Sequence, residues 1–273
     1  MVGKLIKYDF RSFLRLLLPV QLIIIGIAAL NRIVQIFETD GTAYRIVFIS
    51  SAVLLGVASV VALVMCIIIA IVRFYQGLYS SEGYLSQTLP VTAEQHIVSK
   101  MIVSMIFEIG TFFAIFLALN VAALGEVGVE VYKAGGYLFG KFVEMVHGHI
   151  VLYIIEAVVL LLVTEATTLL MFYFCISIGQ LANRKKILLA FGVFFGLYVL
   201  AQIFGTLMII TGTFMAESPY WQNLARDIME WFNLHRIAGV HIFMCSAIVL
   251  NAVFGLIYFL ISKSIMKKHL NLT

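Results

Sequence analysis

Six long apolar segments dominate the pattern of hydrophobic and polar positions along the chain. They cover residues 16–37, 46–72, 97–124, 150–178, 187–212 and 241–262. Each segment exceeds the ~20 apolar residues that an α-helix needs to cross ~30 Å of hydrocarbon. Backbone that is not hydrogen-bonded internally is not tolerated in hydrocarbon, so such segments indicate helices. The pattern predicts an all-α fold, a polytopic membrane protein with six transmembrane helices.

Positive charge is concentrated at one set of span ends. If the six spans alternate in direction, 12 of the 18 Lys and Arg residues lie on one side: Lys4, Lys7, Arg11, Arg15, Arg73, Lys100, Arg184, Lys185, Lys186, Lys263, Lys267 and Lys268. The side with the excess of Lys and Arg is cytoplasmic by the positive-inside rule. We therefore expect a multi-pass protein with cytoplasmic N- and C-termini.

Composition narrows the class of protein. Of the 273 residues, 63% are hydrophobic and 12% are charged, which leaves no room for a soluble domain of ordinary size. Residues 1–273 are therefore interpreted as a single transmembrane domain. The net charge of +4 comes from cations at span ends, so membrane lipid, and not nucleic acid, is the expected partner. The three cysteines lie within apolar spans, where neither a disulfide framework nor a metal site is expected.

The N-terminal segment, residues 1–15, has the pattern of an amphipathic helix. Four cations with helical spacing form a narrow arc, and the opposite side is apolar, with Ile6, Phe10, Phe13 and Leu17. We expect this helix to be retained and not cleaved as a signal peptide. The pattern is typical of a helix on the inner leaflet, and Pro19 is expected to redirect the chain into the first span.

The predicted cytoplasmic loop 73–96 combines polar residues with apolar side chains. The apolar positions are Tyr75, Leu78, Tyr79, Tyr84, Leu85 and Leu89. An exposed apolar patch of this kind indicates a partner. Pro90 ends any helix formed in the loop, and Thr92 with Gln95 forms a capping box that begins the next helix. The connection therefore has room for one short surface helix.

Two motifs in the predicted cytoplasmic loops resemble those of a known family. The first is Arg73-Phe-Tyr with Glu82-Gly-Tyr-Leu and Thr88-Leu-Pro-Val, and the second is Ser177-Ile-Gly-Gln-Leu-Ala-Asn followed by Arg184-Lys-Lys. Together with the six spans and the amphipathic start, they resemble the permeases of bacterial type-2 ABC exporters. The resemblance implies a bacterial plasma-membrane location, a second permease copy or paralogue in a homo- or heterodimer, and an ABC ATPase subunit.

ATP hydrolysis is expected on that partner, and this chain is not expected to be an enzyme. A phosphate-binding Gly-x-x-x-x-Gly-Lys-Ser/Thr loop does not occur in the sequence, so ATP and Mg²⁺ are assigned to the ATPase and no cofactor to this chain. We hypothesise that a coupling segment to the ATPase is formed by Gly83, Tyr84, Leu85, Thr88, Leu89, Pro90 and Val91. The second cytoplasmic loop contributes Gly179, Gln180, Asn183, Arg184, Lys185 and Lys186. The alternative for the first segment is a surface helix that only connects two spans.

Three carboxylates lie within the apolar spans: Glu108, Glu156 and Glu165. A charge at mid-bilayer costs at least ~2.5 kcal/mol on insertion scales, so such residues tend to face the protein interior or to pair. Glu108 and Glu165 fall near mid-depth, where the two side chains can approach each other. Glu156 lies nine residues from Glu165, on the opposite face of the same helix, and is interpreted as reaching the outer interface.

A polar patch around Glu165 is the candidate translocation path or dimer interface. It consists of Glu165, Thr164, Thr167 and Thr168, with Glu108 as a further candidate. The alternative is an inter-helix hydrogen bond that fixes packing, with Asn120 or Gln202 as partner. The patch therefore has both a transport and a packing interpretation.

The predicted outer side contains two long segments, 125–149 and 213–240. Both mix aromatic and charged residues and are interpreted as amphipathic interfacial helices. His147, His149, His235 and His241 lie on this side, but a lone His-x-His pair is weak evidence for zinc, so no metal is expected.

The sequence thus predicts the permease subunit of an ATP-driven exporter. Its substrate would be apolar or amphipathic: a peptide antibiotic, a lipid or a drug. The alternative is a membrane-anchored sensor or assembly factor without transport activity.

Overall fold

The computed structural model describes residues 2–37, 39, 41–80, 91–124, 126–146, 149–182 and 184–268. In these ranges the regular secondary structure is entirely helical. The helices are α1 (Val2–Ile36), α2 (Thr42–Tyr79), α3 (Ala93–Ala122), α4 (Glu126–Val146), α5 (Ile150–Gly179), α6 (Lys186–Ala216), α7 (Pro219–Leu234) and α8 (Arg236–Lys268). The predicted all-α class is confirmed for this part of the chain.

Six helices are long and apolar enough to cross a membrane: α1, α2, α3, α5, α6 and α8. They correspond one for one to the six predicted spans, so the chain has the architecture of a multi-pass membrane protein. The remaining two, α4 and α7, separate apolar from polar side chains more strongly than the other helices. They lie in the two predicted outer segments, each of which therefore contains one amphipathic helix.

The first compact unit contains α1, α2, α3 and most of α4. Helix α1 packs against both α2 and α3. Their apolar core contains Ile24, Ala28, Leu55, Ala62 and Ala118, all of which are buried. Small residues at three of these positions let the helix backbones approach closely, as is common in membrane helix packing.

Polar side chains add hydrogen bonds between the three helices of this unit. Gln21 Nε2 donates to Thr111 Oγ1 at 3.1 Å. Asn31 Nδ2 donates to Ser51 Oγ at 2.8 Å, and Gln35 Nε2 donates to the carbonyl of Ala122 at 2.7 Å. Such bonds stabilise helix association because the donor and acceptor would otherwise lie unsatisfied in hydrocarbon.

The start of α1 differs from the sequence-based expectation. The helix continues through Pro19, so residues 1–15 are not a separate helix. Its apolar face packs against protein: Phe13 and Leu17 are buried, and the Phe13 ring lies 5.6 Å from that of Phe107 on α3. An apolar face with opposing cations looks the same in sequence whether lipid or another helix covers it. The four cations at positions 4, 7, 11 and 15 are exposed, as the pattern predicts.

The second compact unit begins at Val146 and contains α5, α6, α7 and α8. Helix α5 packs against α8 and α6. The Phe174 and Tyr258 rings are 5.1 Å apart, and the Phe172 and Phe194 rings are 5.7 Å apart. Thr167 Oγ1 donates to the carbonyl of Asn251 at 3.0 Å. Along the second half of α5, these contacts join it to α6, which runs antiparallel to it, and to α8, which runs parallel to it.

Burial in the second unit is concentrated near one end of α5. Its buried residues are Tyr153 near the start and then, in the last three turns, Leu169, Leu170, Tyr173, Phe174, Cys175, Ile176, Ser177 and Gly179. The C-terminal turns of α8 add Ser262, Ile265 and Met266. Helix α6 has no buried residue along its whole length. Its packing within the second unit therefore leaves much of its apolar surface uncovered.

Candidate functional site

Most of the predicted coupling segment lies outside the described residues: Gly83, Tyr84, Leu85, Thr88, Leu89 and Pro90. Val91 is described and half-buried, directly before α3. The predicted capping box is confirmed. The Thr92 hydroxyl accepts the Gln95 N–H at 3.4 Å, and Gln95 Oε1 accepts the Thr92 N–H at 3.2 Å. These reciprocal bonds fix the residue at which the segment ends and α3 begins.

On the other side of this segment, the end of α2 shows that the prediction of an exposed apolar patch was wrong for the residues described there. Helix α2 continues to Tyr79, so residues 73–79 belong to a helix and not to a loop. Phe74, Leu78 and Tyr79 are buried, and the Phe74 and Tyr79 rings are 6.1 Å apart. A continued helix carries these side chains into the interior of the first unit, whereas a loop was expected to expose them. Of the predicted patch, Tyr75 remains half-exposed.

The second predicted loop is a tight turn between α5 and α6. A Cβ on Gly179 would lie 2.7 Å from the Lys186 carbonyl oxygen and 2.8 Å from Ala190 Cβ, so the close approach requires glycine. Lys185 adopts a left-handed conformation with φ of 58°. Lys185 and Arg184 are exposed, and Lys186 is the first residue of α6.

Gln180 is the buried member of this turn. It is 3% exposed, and its Oε1 has no hydrogen-bond partner among the described residues. Asn183, which belongs to the same predicted motif, lies outside the described residues. The predicted loop residues are thus divided between a buried Gly-Gln step and an exposed pair of cations.

The polar patch around Glu165 is spread over different faces of α5. Thr167 binds the α8 backbone, whereas the Thr168 hydroxyl donates to the carbonyl of Thr164 in its own helix at 2.9 Å. Side chains two positions apart in an α-helix point in directions about 200° apart around the helix axis, so Glu165 lies nearly opposite to Thr167. Glu165 is half-buried and has no hydrogen bond within the part of the chain that the structure describes.

Helix α6 lies on the Glu165 side of α5. Phe172 and Gly179 follow Glu165 at heptad spacing, and both approach α6, through Phe194 and Ala190 respectively. Continuing this antiparallel register brings Gln202 to about the depth of Glu165. Gln202 is exposed. The mid-span carboxylate and amide therefore lie at similar depths on neighbouring helices.

The other predicted mid-span carboxylate belongs to the first unit. Glu108 on α3 is 6% exposed. Its predicted approach to Glu165, in the second unit, stays a prediction. Asn120, one of the predicted partners of Glu165, instead donates to the Phe116 carbonyl and accepts from the Tyr132 hydroxyl.

Sequence reasoning missed an ion pair between α1 and α3. Lys100 Nζ lies 3.0 Å from Asp9 Oδ1, and the Ser99 hydroxyl donates to Asp9 Oδ2 at 3.1 Å. The Lys100 side chain is 9% exposed and that of Asp9 20%. The sequence signal was one acidic residue beside the apolar face of α1, opposite the basic arc, and periodicity does not identify its partner 91 positions away.

A second pair, between α5 and α8, corrects the interpretation of Glu156. His241 Nδ1 lies 2.8 Å from Glu156 Oε1 and 2.7 Å from Oε2, so this carboxylate pairs within the protein. His147 lies outside the described residues. Across the described ranges, no group of three or more His, Cys, Asp and Glu side chains is arranged to hold a metal ion.

The chain matches no protein-family model, no curated protein and no solved structure.

Proposed function

We propose that this chain is the membrane-spanning permease subunit of an ATP-driven exporter in a bacterial plasma membrane. The observation that supports the proposal most strongly combines two features. The chain has six helices of membrane-spanning length, and the helix ends that flank both predicted cytoplasmic loops pack against neighbouring helices. A permease needs such ends because work done by a separate ATPase has to reach the transmembrane helices. Energy for transport is then supplied by ATP bound to the partner.

The first anchored end flanks residues 81–90. On one side, Leu78 and Tyr79 close α2 with buried side chains. On the other, the Thr92 capping box begins α3, and Lys100 two turns later binds Asp9 of α1. A push on the segment between them would therefore move all three helices together. This is the mechanical property that a coupling segment requires.

The second anchored end is the turn between α5 and α6. Gly179 packs directly on the start of α6, so the turn is short and close-packed. Arg184 and Lys185 project from it as exposed cations. Two adjacent exposed cations suit an acidic surface on a partner protein, and a short turn loses less conformational entropy on binding than a long loop would.

A second permease copy or paralogue completes the proposed transporter. Helix α6 buries none of its residues, and its register brings Gln202 to the depth of Glu165. Two polar side chains at mid-span are costly against lipid and favourable where they face a partner or a path. In the proposed dimer, an apolar or amphipathic substrate (a peptide antibiotic, a lipid or a drug) would move along this side.

The test is co-purification of the tagged chain with ABC ATPase subunits from its own genome, followed by ATPase and export assays in lipid. The variant Tyr84→Asp/Leu85→Asp is expected to lose ATPase binding or to uncouple hydrolysis from export. The matched control, Tyr220→Asp/Leu224→Asp on α7, makes the same chemical change on the opposite predicted side. It should leave ATPase binding unchanged.

One result would contradict the exporter proposal, and a second would contradict only the coupling role of residues 83–91. Recovery of no ATPase in lipid would favour the membrane-anchored sensor or assembly factor. Wild-type coupling in Tyr84→Asp/Leu85→Asp would keep the exporter but remove the coupling role of 83–91. For the proposed path, Glu165→Gln is expected to change export severalfold while the complex still assembles; unchanged export would assign Glu165 to packing.

A further inference from the structure

The first turns of α5 and α8 are joined by a carboxylate–imidazole pair within the apolar spans. His241 Nδ1 contacts both oxygens of Glu156, at 2.7 and 2.8 Å. The side chains are 18% and 12% exposed, respectively. The Tyr153 ring stacks on the imidazole at 4.3 Å, and the Tyr153 hydroxyl donates to the Ile237 carbonyl at 3.2 Å. The pair is therefore held in one orientation by both helices.

The hydrogen bonds define which imidazole nitrogen carries a proton. A carboxylate accepts hydrogen bonds, so Nδ1 of His241 is the donor. Nε2 is buried and has no hydrogen-bond partner among the described residues. In the neutral ring this second nitrogen carries no hydrogen, and its lone pair is the remaining position for a proton.

Protonation of Nε2 would change the net charge of the Glu156–His241 pair within the apolar spans. With a neutral ring, the pair carries the whole negative charge of Glu156 between two apolar helices. Uptake of one proton from solution at Nε2 makes the ring an imidazolium and the pair neutral overall, with no other bond formed or broken. A neutral pair is much less costly than a single charge in this environment.

We propose that Glu156 and His241 form a proton-binding site that clamps the start of α5 to the start of α8. Among the described residues, the other titratable groups in contact are Tyr153, Cys245, whose Sγ lies 3.9 Å from Glu156 Oε1, and His149, whose ring centroid is 6.1 Å from that of His241. The clamp is stronger with the proton bound. The inference holds whether or not the chain is a transporter.

The direct test is ¹⁵N NMR of the imidazole rings in the full-length chain in nanodiscs. His241 is assigned from its contact with the Tyr153 ring. At about pH 8 the ring should have a protonated Nδ1 and a bare Nε2, and at about pH 5.5 both nitrogens should be protonated. The proposal is overturned if Nε2 carries the proton at the higher pH, or if the ring state is the same at both.

A second measurement tests the clamp. The thermal unfolding midpoint of the wild type should be higher at about pH 5.5 than at about pH 8. Relative to the wild type, His241→Gln should reduce this difference by about 3 °C. His235→Gln is the matched control, because His235 directly follows α7, its side chain is exposed, and among the described residues its ring nitrogen bonds to the carbonyl of Trp231 on α7. Equal pH dependence in wild type and His241→Gln would refute the clamp.

Discussion

At the start of α1, the Asp9 carboxylate forms an ion pair with Lys100, 91 positions away on α3. Asp9 binds Lys100 at 3.0 Å and Ser99 at 3.1 Å, in a site where Lys100 is nearly buried. We expect Lys100→Met to destabilise the protein by about 2 kcal/mol, because it leaves Asp9 without its counter-charge. The estimate is below that for a fully buried pair because Asp9 keeps 20% of its exposure. Reversible unfolding in mixed micelles measures it.

The double variant Asp9→Asn/Lys100→Met is the control for this ion pair. Since it removes both charges, it should be less destabilised than the sum of the single variants, with a coupling of about 1–3 kcal/mol. Additive effects would mean that the two charges do not interact. Sequence reasoning placed Lys100 among the cytoplasmic cations but gave it no partner, because helical periodicity predicts which face a residue occupies and not what a distant helix brings to that face.

Helix α5 approaches α8 closely at Gly255, where Thr167 lies opposite. A Cβ on Gly255 would lie 2.8 Å from Thr167 Oγ1 and 3.7 Å from Leu170 Cδ1. Gly255→Ala is therefore expected to destabilise by about 1–3 kcal/mol, since the helices must separate or Thr167 must give up its bond to Asn251. Gly192→Ala on α6 is the control. Nothing lies within 4 Å of its Cβ, so the variant should be neutral or slightly stabilising. Comparable destabilisation of both would contradict close packing at Gly255.

The helices themselves were largely predictable, and their packed surfaces were not. Hydropathy placed six spans, and the Thr92–Gln95 pair placed the start of α3, because these depend on local chemistry. The start of α1 and the end of α2 were interpreted as lipid- or partner-facing, yet Phe13, Leu17 and Leu78 are buried. An apolar face records that it will be covered but not by what, so this part of the candidate site required the tertiary structure.

For the whole molecule, the distribution of charge predicts a single orientation in the membrane. The α5–α6 turn, with exposed Arg184, should face the cytoplasm, and α7, with exposed Asn233, should face outward. We expect Arg184→Cys to react with a membrane-impermeant thiol reagent only after cells are opened, and Asn233→Cys to react in intact cells. Cys245, the one exposed native cysteine, is replaced by Ser in both variants, and Cys66 and Cys175 are buried.

This measurement also bears on the proposed mechanism, because both candidate coupling segments are assigned to the side of Arg184. Labelling of Arg184→Cys in intact cells would put the α5–α6 turn outside, where no cellular ATPase reaches it, and would contradict the exporter proposal together with the orientation. If neither variant is labelled in intact cells, α7 lies either inside the cell, which would break the alternation of the last two spans, or within lipid. Only reaction of Asn233→Cys alone satisfies the positive-inside rule and leaves both loops accessible to an ATPase.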